Sequence, residues 1–408
     1  MRKTTNCPFH IHSIFQLTTP KKQQTFTPNF WKLSFSMLFF TTSYNMVIPE
    51  MNSFITELGH PTWKGLIIAL FTISSAISRP FSGKLADTIG RKKVIRIGIL
   101  ISVVVCFLYS FVFAAWFLLF LRFLHGFSAG FFPTGSTALI TDILPENKRG
   151  VGMGIWGTFI SVGMGLGQGV AVFFTDWGGR DMLFVASSVF GLISYALYIP
   201  IQETLKHTIP FNRNLLKIKR HEIIEPAVLP VAIVMLLSTM SSGIVLVLAP
   251  DISSFLSISN KGAFFVMYVS STIFIRLFTG NLSDKYGRRE TLLVGLLILI
   301  ISMLMIGISK NATWFLISAT VFGIATGITS PTIFAWTADL SPKQNRGLGS
   351  GTMFIALEIG ILCGSMITGL WYKNNLDSIW NVFVFGSAMI FIAILYLSWH
   401  IYSKKASY

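Results

Sequence analysis

The chain has 408 residues, of which 52% are hydrophobic and only 12% are charged. Soluble domains carry about 25% charged residues, so this composition excludes an ordinary water-soluble enzyme. The net charge of +16 could suit nucleic acid, but 37 Phe residues and basic residues confined to short gaps between apolar runs fit a membrane chain better. We therefore expect contact with membrane lipid and no nucleic-acid partner.

The first 29 residues carry four basic residues and no central apolar block, so they predict a cytoplasmic tail and not a cleaved signal peptide. Cys7, His10 and His12 in this tail have the residue types of a metal site, but a fourth ligand is not evident. We expect neither a metal nor a cofactor.

Twelve apolar runs follow, and each approaches the length of about 20 residues that a membrane-spanning helix needs. They lie near 30–49, 63–83, 94–113, 115–141, 150–174, 182–201, 227–250, 262–282, 291–309, 312–337, 347–371 and 379–402. Most Lys and Arg residues fall on one side of the predicted membrane, and the cytoplasmic side is usually the richer one. The predicted fold class is an all-α membrane protein with twelve transmembrane helices and both termini in the cytoplasm.

An internal repeat appears when the chain is displaced by 197 residues. Residues 79–91 and 276–288 are then identical at seven of thirteen positions. The pattern D-x-x-P-x-x-x-R-G-x-G-x-G that begins at Asp142 recurs at Asp339. Two such halves in the same orientation are related by an axis along the membrane normal, and a binding site is expected at their interface.

The repeat predicts two pseudo-symmetric six-helix bundles, residues 30–201 and 227–402, joined by a cytoplasmic linker, 202–226. Cytoplasmic tails, 1–29 and 403–408, flank them.

Two stretches carry a family resemblance. The loop after span 2 reads G-K-L-A-D-T-I-G-R-K-K and resembles the signature G-x-L-x-D-x-x-G-R-[KR]-[KR] of the major facilitator superfamily; the loop after span 8 is a weaker copy. In span 4, the pattern R-x-x-H-G-x-x-A-G from Arg122 resembles the second signature of that family, with His125 where Gln is more usual. The chain resembles the superfamily, and its bacterial drug and sugar efflux branch, over nearly its whole length. The resemblance implies a secondary transporter with alternating access.

The repeated loops predict a conformational latch. Asp87 and Asp284 each follow a helix end, where a carboxylate could face the positive N-terminus of a helix in the other half. The resemblance implies that Asp87 faces span 11, that Asp284 faces span 5, and that the nearby Arg residues pair with the acids that end spans 4 and 10. The alternative is that these residues are topology signals and turn residues. The predicted latch residues are Gly83, Asp87, Gly90, Arg91, Asp142, Gly280, Asp284, Gly287, Arg288 and Asp339.

Charged residues inside spans are costly and are functional candidates by default. Glu358 is the only acid deep in any predicted span. Arg122 and His125 are three residues apart, so they share a helix face that we expect to line the cavity, where Arg122 could meet Glu358. These three residues are the predicted proton-coupling or substrate-charge site; the alternatives are a structural role for Glu358 and a neutral, hydrogen-bonded His125. Arg79 and Arg276 are expected to reach the cytoplasmic surface.

Polar side chains on candidate lining helices complete the predicted cavity. They are Tyr44, Asn45, Ser238, Thr239, Thr326, Thr329 and Trp336. A few polar groups in a mostly apolar cavity suit a small amphipathic substrate. Isolated Ser and Thr residues can equally bond to their own helix backbone.

The sequence thus predicts a monomeric, proton-coupled transporter of the bacterial inner membrane that exports a small organic molecule and is not an enzyme. An importer or facilitator on the same fold is the nearest alternative. A membrane receptor without transport is less favoured, since it would need neither a buried acid nor two matching latches.

Overall fold

The computed structural model describes residues 26–60, 63–219, 222–258, 263–372 and 376–405, and these residues form helices joined by turns and short loops. The Cys7, His10 and His12 group lies outside the described residues, as do most of the predicted N-terminal tail and residues 406–408.

The first half of the chain forms six helices. They are α1 (Pro28–Met46), α2 (Ile48–Glu57), α3 (Lys64–Thr88), α4 (Arg91–Leu108), α5 (Ala115–Ile143) and α6 (Arg149–Tyr198). The Thr27 side chain caps α1 by accepting a hydrogen bond from the Phe30 N–H. The 50-residue α6 is broken at Gly178 and Gly179, and Gly179 has a φ of 72°, which glycine adopts without a steric penalty. This break falls between predicted spans 5 and 6.

The second half also forms six helices. They are α7 (Leu229–Phe255), α8 (Ala263–Tyr286), α9 (Arg288–Gly307), α10 (Ala312–Leu340), α11 (Arg346–Trp371) and α12 (Leu376–Lys405). They follow predicted spans 7–12 in order. Asn311 caps α10, because its side-chain oxygen accepts a hydrogen bond from the Trp314 N–H at 2.8 Å.

The surface of the helices fits lipid. Among the described residues, nine helices are long and apolar enough to cross a membrane, with α6 counted once and α1 and α8 not included. Large apolar side chains such as Phe113, Trp177 and Leu370 are about three-quarters exposed. Such exposure is stable in hydrocarbon and costly in water. The chain is an all-α membrane protein, and the full count of twelve spans stays a prediction.

The two halves meet chiefly where α3 packs on α11 and where α6 packs on α8. The repeat relates these two contacts, because α3 corresponds to α8 and the start of α6 to the start of α11. At the first contact the backbones approach closely: a Cβ atom added to Gly347 would lie 2.5 Å from the Gly83 carbonyl oxygen. Small residues are therefore required at this crossing.

The linker between the halves is fastened to both of them. The Glu203 carboxylate accepts hydrogen bonds from the first two backbone N–H groups of α4, at 3.2 and 2.9 Å. Lys84 of α3 pairs with Glu222 at 2.7 Å. Three residues later, the Glu225 N–H donates to the Thr352 hydroxyl of α11 at 2.9 Å. The linker is thus attached to the first half up to Glu222 and to the second half from Glu225.

The crossing of α3 and α11 gives a first prediction. Gly347→Ala should destabilise this closed arrangement by about 1–3 kcal/mol, as overpacking does in cores. Spin labels at Lys93→Cys and Gln344→Cys, both exposed positions on the same side of the molecule, should then report a population with a longer distance between the halves.

Gly369→Ala is the matched control in the same helix, since a Cβ atom there would meet nothing within 4 Å. It should leave the distance distribution as in the wild type. If both variants gave the wild-type distribution, close packing at Gly347 would not control the approach of the halves.

Candidate functional site

A buried cluster of charges joins α3 to the start of α11; we call it the first charge cluster. The Asp87 carboxylate accepts hydrogen bonds from the backbone N–H groups of Gly347 and Leu348, both at 2.8 Å. Arg91 lies 3.5 Å from Asp87 and 2.7 Å from Asp142. The carboxylate therefore satisfies the free N–H groups of a helix N-terminus, where the helix dipole also favours negative charge.

The second charge cluster repeats this geometry between α8 and the start of α6. The Asp284 carboxylate accepts hydrogen bonds from the Gly150 and Val151 N–H groups at 2.8 and 3.0 Å. Arg288 pairs with Asp284 at 2.5 Å and with Asp339 at 2.8 Å. The contacts predicted for both loops are present in the structure, while their role in transport stays a prediction.

Each cluster contains one more cation that the sequence interpretation missed. Arg346 of the second half pairs with Asp142 of the first. Arg149 of the first half pairs with Asp339 of the second at 2.7 Å. The repeat could have revealed these two arginines, because an Arg follows Asp142 and Asp339 by seven residues in each half. These pairs run between the halves, whereas Arg91 and Arg288 pair within their own half.

The predicted glycines have distinct positions in these loops. Gly90 and Gly287 precede α4 and α9 with φ of 118° and 100°, a region that disfavours side chains. Gly83 faces the start of α11, where an added Cβ atom would lie 3.0 Å from the Gly347 carbonyl oxygen. Gly280 lies within α8.

A cavity of about 410 Å³ lies between the halves, within the range of small-molecule sites. Five of the predicted lining residues line it, namely Tyr44, Ser238, Thr239, Thr326 and Thr329. The rest of its wall is mostly apolar, with methionine and aromatic side chains that include Met37, Phe71, Met164, Met235, Phe265, Phe322, Phe334 and Phe354. Methionine-rich walls adapt to ligands of different shape.

Glu358 lies in this cavity and forms an ion pair between the halves. Its carboxylate is 2.9 Å from the Arg79 guanidinium and accepts a hydrogen bond from the Ser75 hydroxyl at 2.8 Å. Arg79 also donates to Thr134 at 3.0 Å and lies over the Phe354 ring at 4.4 Å. The Arg79 side chain is 4% exposed and that of Glu358 is 14% exposed, so this pair has little of the solvent screening that weakens surface pairs.

The expectation that Arg79 and Arg276 reach the cytoplasmic surface is wrong, because both line the cavity. Each lies eight residues before the Asp of its charge cluster. At 1.5 Å per residue this places each Arg about 12 Å deeper along its helix. At that depth, each guanidinium group bonds to side chains inside the cavity and not to water at the cytoplasmic surface.

The expectation that Arg122 and His125 line the cavity is also wrong. The His125 ring lies between α4 and α5, with one nitrogen 3.2 Å from the Tyr109 hydroxyl and the other 3.2 Å from the Ser102 hydroxyl. The Arg122 guanidinium lies over the Phe71 and Tyr109 rings at 5.8 and 5.5 Å. This face of α5 therefore packs inside the first half, away from the cavity acid. A part for these two residues in proton coupling stays a prediction.

Asn45 and Trp336 are likewise absent from the cavity wall. The Asn45 amide turns back and donates to the Thr41 carbonyl oxygen of its own helix at 2.8 Å. Trp336 lies two turns beyond Thr329 and is 4% exposed, with the Arg289 guanidinium 5.7 Å from its ring.

The two similar halves, the matching clusters and the central cavity define a transporter built from a duplicated bundle. The family model of the Major Facilitator Superfamily matches residues 33–230 and again 231–407. The chain belongs to this superfamily, and it is therefore a multi-pass membrane protein of a transporter family with small-molecule substrates.

Relatives include the "Quinolone resistance protein NorA" of Staphylococcus aureus (strain MSSA476), which is 25% identical over 362 residues, 85% of this chain and 90% of that protein. The "Multi-drug resistance efflux pump PmrA homolog" of Lactococcus lactis (strain IL1403) is 25% identical over 354 residues, 81% of this chain and 86% of that protein. The crystal structure of the human organic anion transporter MFSD10 superposes with a TM-score of 0.79 at 14% identity, over 92% of this chain and 100% of that one. This structural likeness supports the same fold for the present chain.

The charge clusters give a second prediction. Asp87→Asn should slow transport by about ten-fold, because an amide replaces a charged acceptor at a helix N-terminus, a loss of about 1–2 kcal/mol. Flux of a transported compound into proteoliposomes measures the rate, and binding of that compound to the variant should change little.

Asp176→Asn is the matched control, since Asp176 is an exposed acid of α6 outside both clusters. An unchanged rate in Asp87→Asn would count against a role of the first charge cluster in transport.

Proposed function

We propose that the chain is a proton-coupled antiporter that exports small amphipathic organic molecules by alternating access. The observation that carries the proposal is the ion pair between Arg79 and Glu358, which joins the two halves inside the cavity. Efflux is favoured by the names of two relatives, a quinolone resistance protein and a multi-drug efflux pump.

Protonation of Glu358 is the proposed coupling step. A neutral carboxyl no longer compensates the Arg79 charge, so the attraction between the halves weakens at the cavity. The halves can then separate on one side and close on the other. One charge that crosses a potential of 100 mV supplies about 2.3 kcal/mol, which is comparable to the interactions that must be broken.

Both charge clusters are proposed to hold the cytoplasmic side closed. They lie on the side where the Lys and Arg residues concentrate, which is the cytoplasmic side by the usual distribution. The protein would act as a monomer in the bacterial inner membrane with both termini in the cytoplasm. Its partners would be a small-molecule substrate, protons and lipid, with no cofactor, no catalysis and no nucleic acid.

The third prediction tests the coupling. In proteoliposomes with an imposed pH gradient, the wild type should move a fluorescent quinolone whose binding is first shown by a thermal shift. Glu358→Gln should bind this compound but lose pH-driven flux by about 100-fold, because a neutral amide does not gain and lose a proton near neutral pH as a carboxylate does.

Glu57→Gln serves as the matched control, since Glu57 pairs with Arg180 on the exposed surface and is 60% exposed. It should retain flux. Flux that ignores the pH gradient in wild type and Glu358→Gln alike would remove the proton from the mechanism. A compound that binds without any flux would favour a receptor, and inward flux driven by an inward proton gradient would favour an importer.

A further inference from the structure

The repeat relates two arginines in the cavity that have different partners. Arg79 of α3 and Arg276 of α8 occupy equivalent positions in the two halves. Both line the cavity, and both reach across to a helix of the other half. Arg79 meets Glu358 there. The residue equivalent to Glu358 in the first half is Ser161, so a hydroxyl takes the place of a carboxylate.

The contacts of Arg276 are with neutral acceptors. Its guanidinium donates to the Ser161 hydroxyl at 2.8 Å, to the Ser330 hydroxyl at 2.7 Å and to the Gly157 carbonyl oxygen. Its Nε atom is buried without a hydrogen-bond partner among the described residues. No Asp or Glu of the described chain forms an ion pair with it. The cavity therefore holds one paired and one uncompensated cation.

A buried cation without a counter-ion is costly, and the cost is relieved when an anion enters the site. The Ser161 hydroxyl, which accepts from Arg276, can also donate its own proton to such an anion, whereas the Ser330 hydroxyl already donates to the Thr326 carbonyl oxygen at 2.8 Å. Further along α8 the cavity wall includes Tyr268 and Phe265, which suit the apolar part of an amphipathic molecule.

We propose that Arg276 binds the anionic group of the substrate. This group would lie beside Arg276 as the Glu358 carboxylate lies beside Arg79. The inference rests on the proposed function and specifies its substrate class as amphipathic organic anions, carboxylates in particular, or zwitterions that contain such a group. Arg276, Ser161 and Ser330 form the anion subsite, and the aromatic and methionine wall holds the apolar part.

The test compares two probes of nearly equal shape, 1-naphthaleneacetate and 1-naphthaleneacetamide, by equilibrium dialysis against the full chain in lipid nanodiscs, with empty nanodiscs subtracted. The wild type should bind the carboxylate at least ten-fold more tightly than the amide, as expected for a hydrogen-bonded charge pair. Arg276→Gln should abolish this preference. Arg180→Gln, which removes an arginine outside the cavity, should retain it.

A second pair of variants keeps Arg276 in place. Ser161→Glu supplies the carboxylate that the first half lacks, so it should compete with the probe and lower the preference for the anion relative to Ser161→Gln, which adds similar bulk without charge. If Arg276→Gln does not fold, this pair decides the question. Equal binding of the two probes in the wild type, no binding of either, a preference that survives Arg276→Gln in a folded protein, or the same preference in Ser161→Glu and Ser161→Gln would overturn the proposal.

The measurement needs neither flux nor a pH gradient. An intact anion preference without pH-driven flux would therefore overturn only the proton-coupled function. Conversely, pH-driven flux without an anion preference would overturn only the assignment of Arg276.

Discussion

The structure depends on a carboxylate from one half that caps a helix of the other. The residues before α6 and α11, Lys148 and Asn345, provide no side-chain cap. The N–H groups of Gly150, Val151, Gly347 and Leu348 are instead satisfied by Asp284 and Asp87. Because these helices begin outside the apolar spans, water could satisfy the same groups if the halves parted, as the proposed function requires. The contact would then be specific and also reversible.

The sequence predicts the clusters better than it predicts the cavity, for a physical reason. Cluster residues lie at helix ends, and the repeat fixes their register, while the helices that Asp87 and Asp284 contact were implied by the family resemblance. Inside the membrane, a residue's position depends on both its depth and the face that its helix turns inward. The prediction was wrong about the depth of Arg79 and about the helix face on which Arg122 lies. Hydropathy shows neither the rotation of a helix nor its neighbours.

Equivalent residues of the two halves are identical in the charge clusters, but several differ in the cavity wall. Asp87, Arg91 and Asp142 have identical counterparts, whereas Glu358 corresponds to Ser161 and, at the offset of 201 residues that aligns Pro49 with Pro250, Tyr44 corresponds to Val245. Both members of these two pairs line the cavity. A symmetric scaffold lets one set of contacts serve both halves, while an asymmetric wall gives a bound molecule two chemically different ends. The orientation of the proposed substrate would then follow from charge as well as from shape.

The short connection between the linker's two attachments would also limit the proposed separation of the halves. The backbone from Glu222, held by Lys84, to Glu225, held by Thr352, covers three peptide steps. Fully extended, these steps reach about 10 Å. As long as both attachments persist, the linker is a tether, and it limits the separation of the edges it joins to this length plus the reach of the Lys84 and Glu222 side chains. The cytoplasmic opening would then be widest on the side remote from the tether, so a bulky molecule would enter laterally through a wedge.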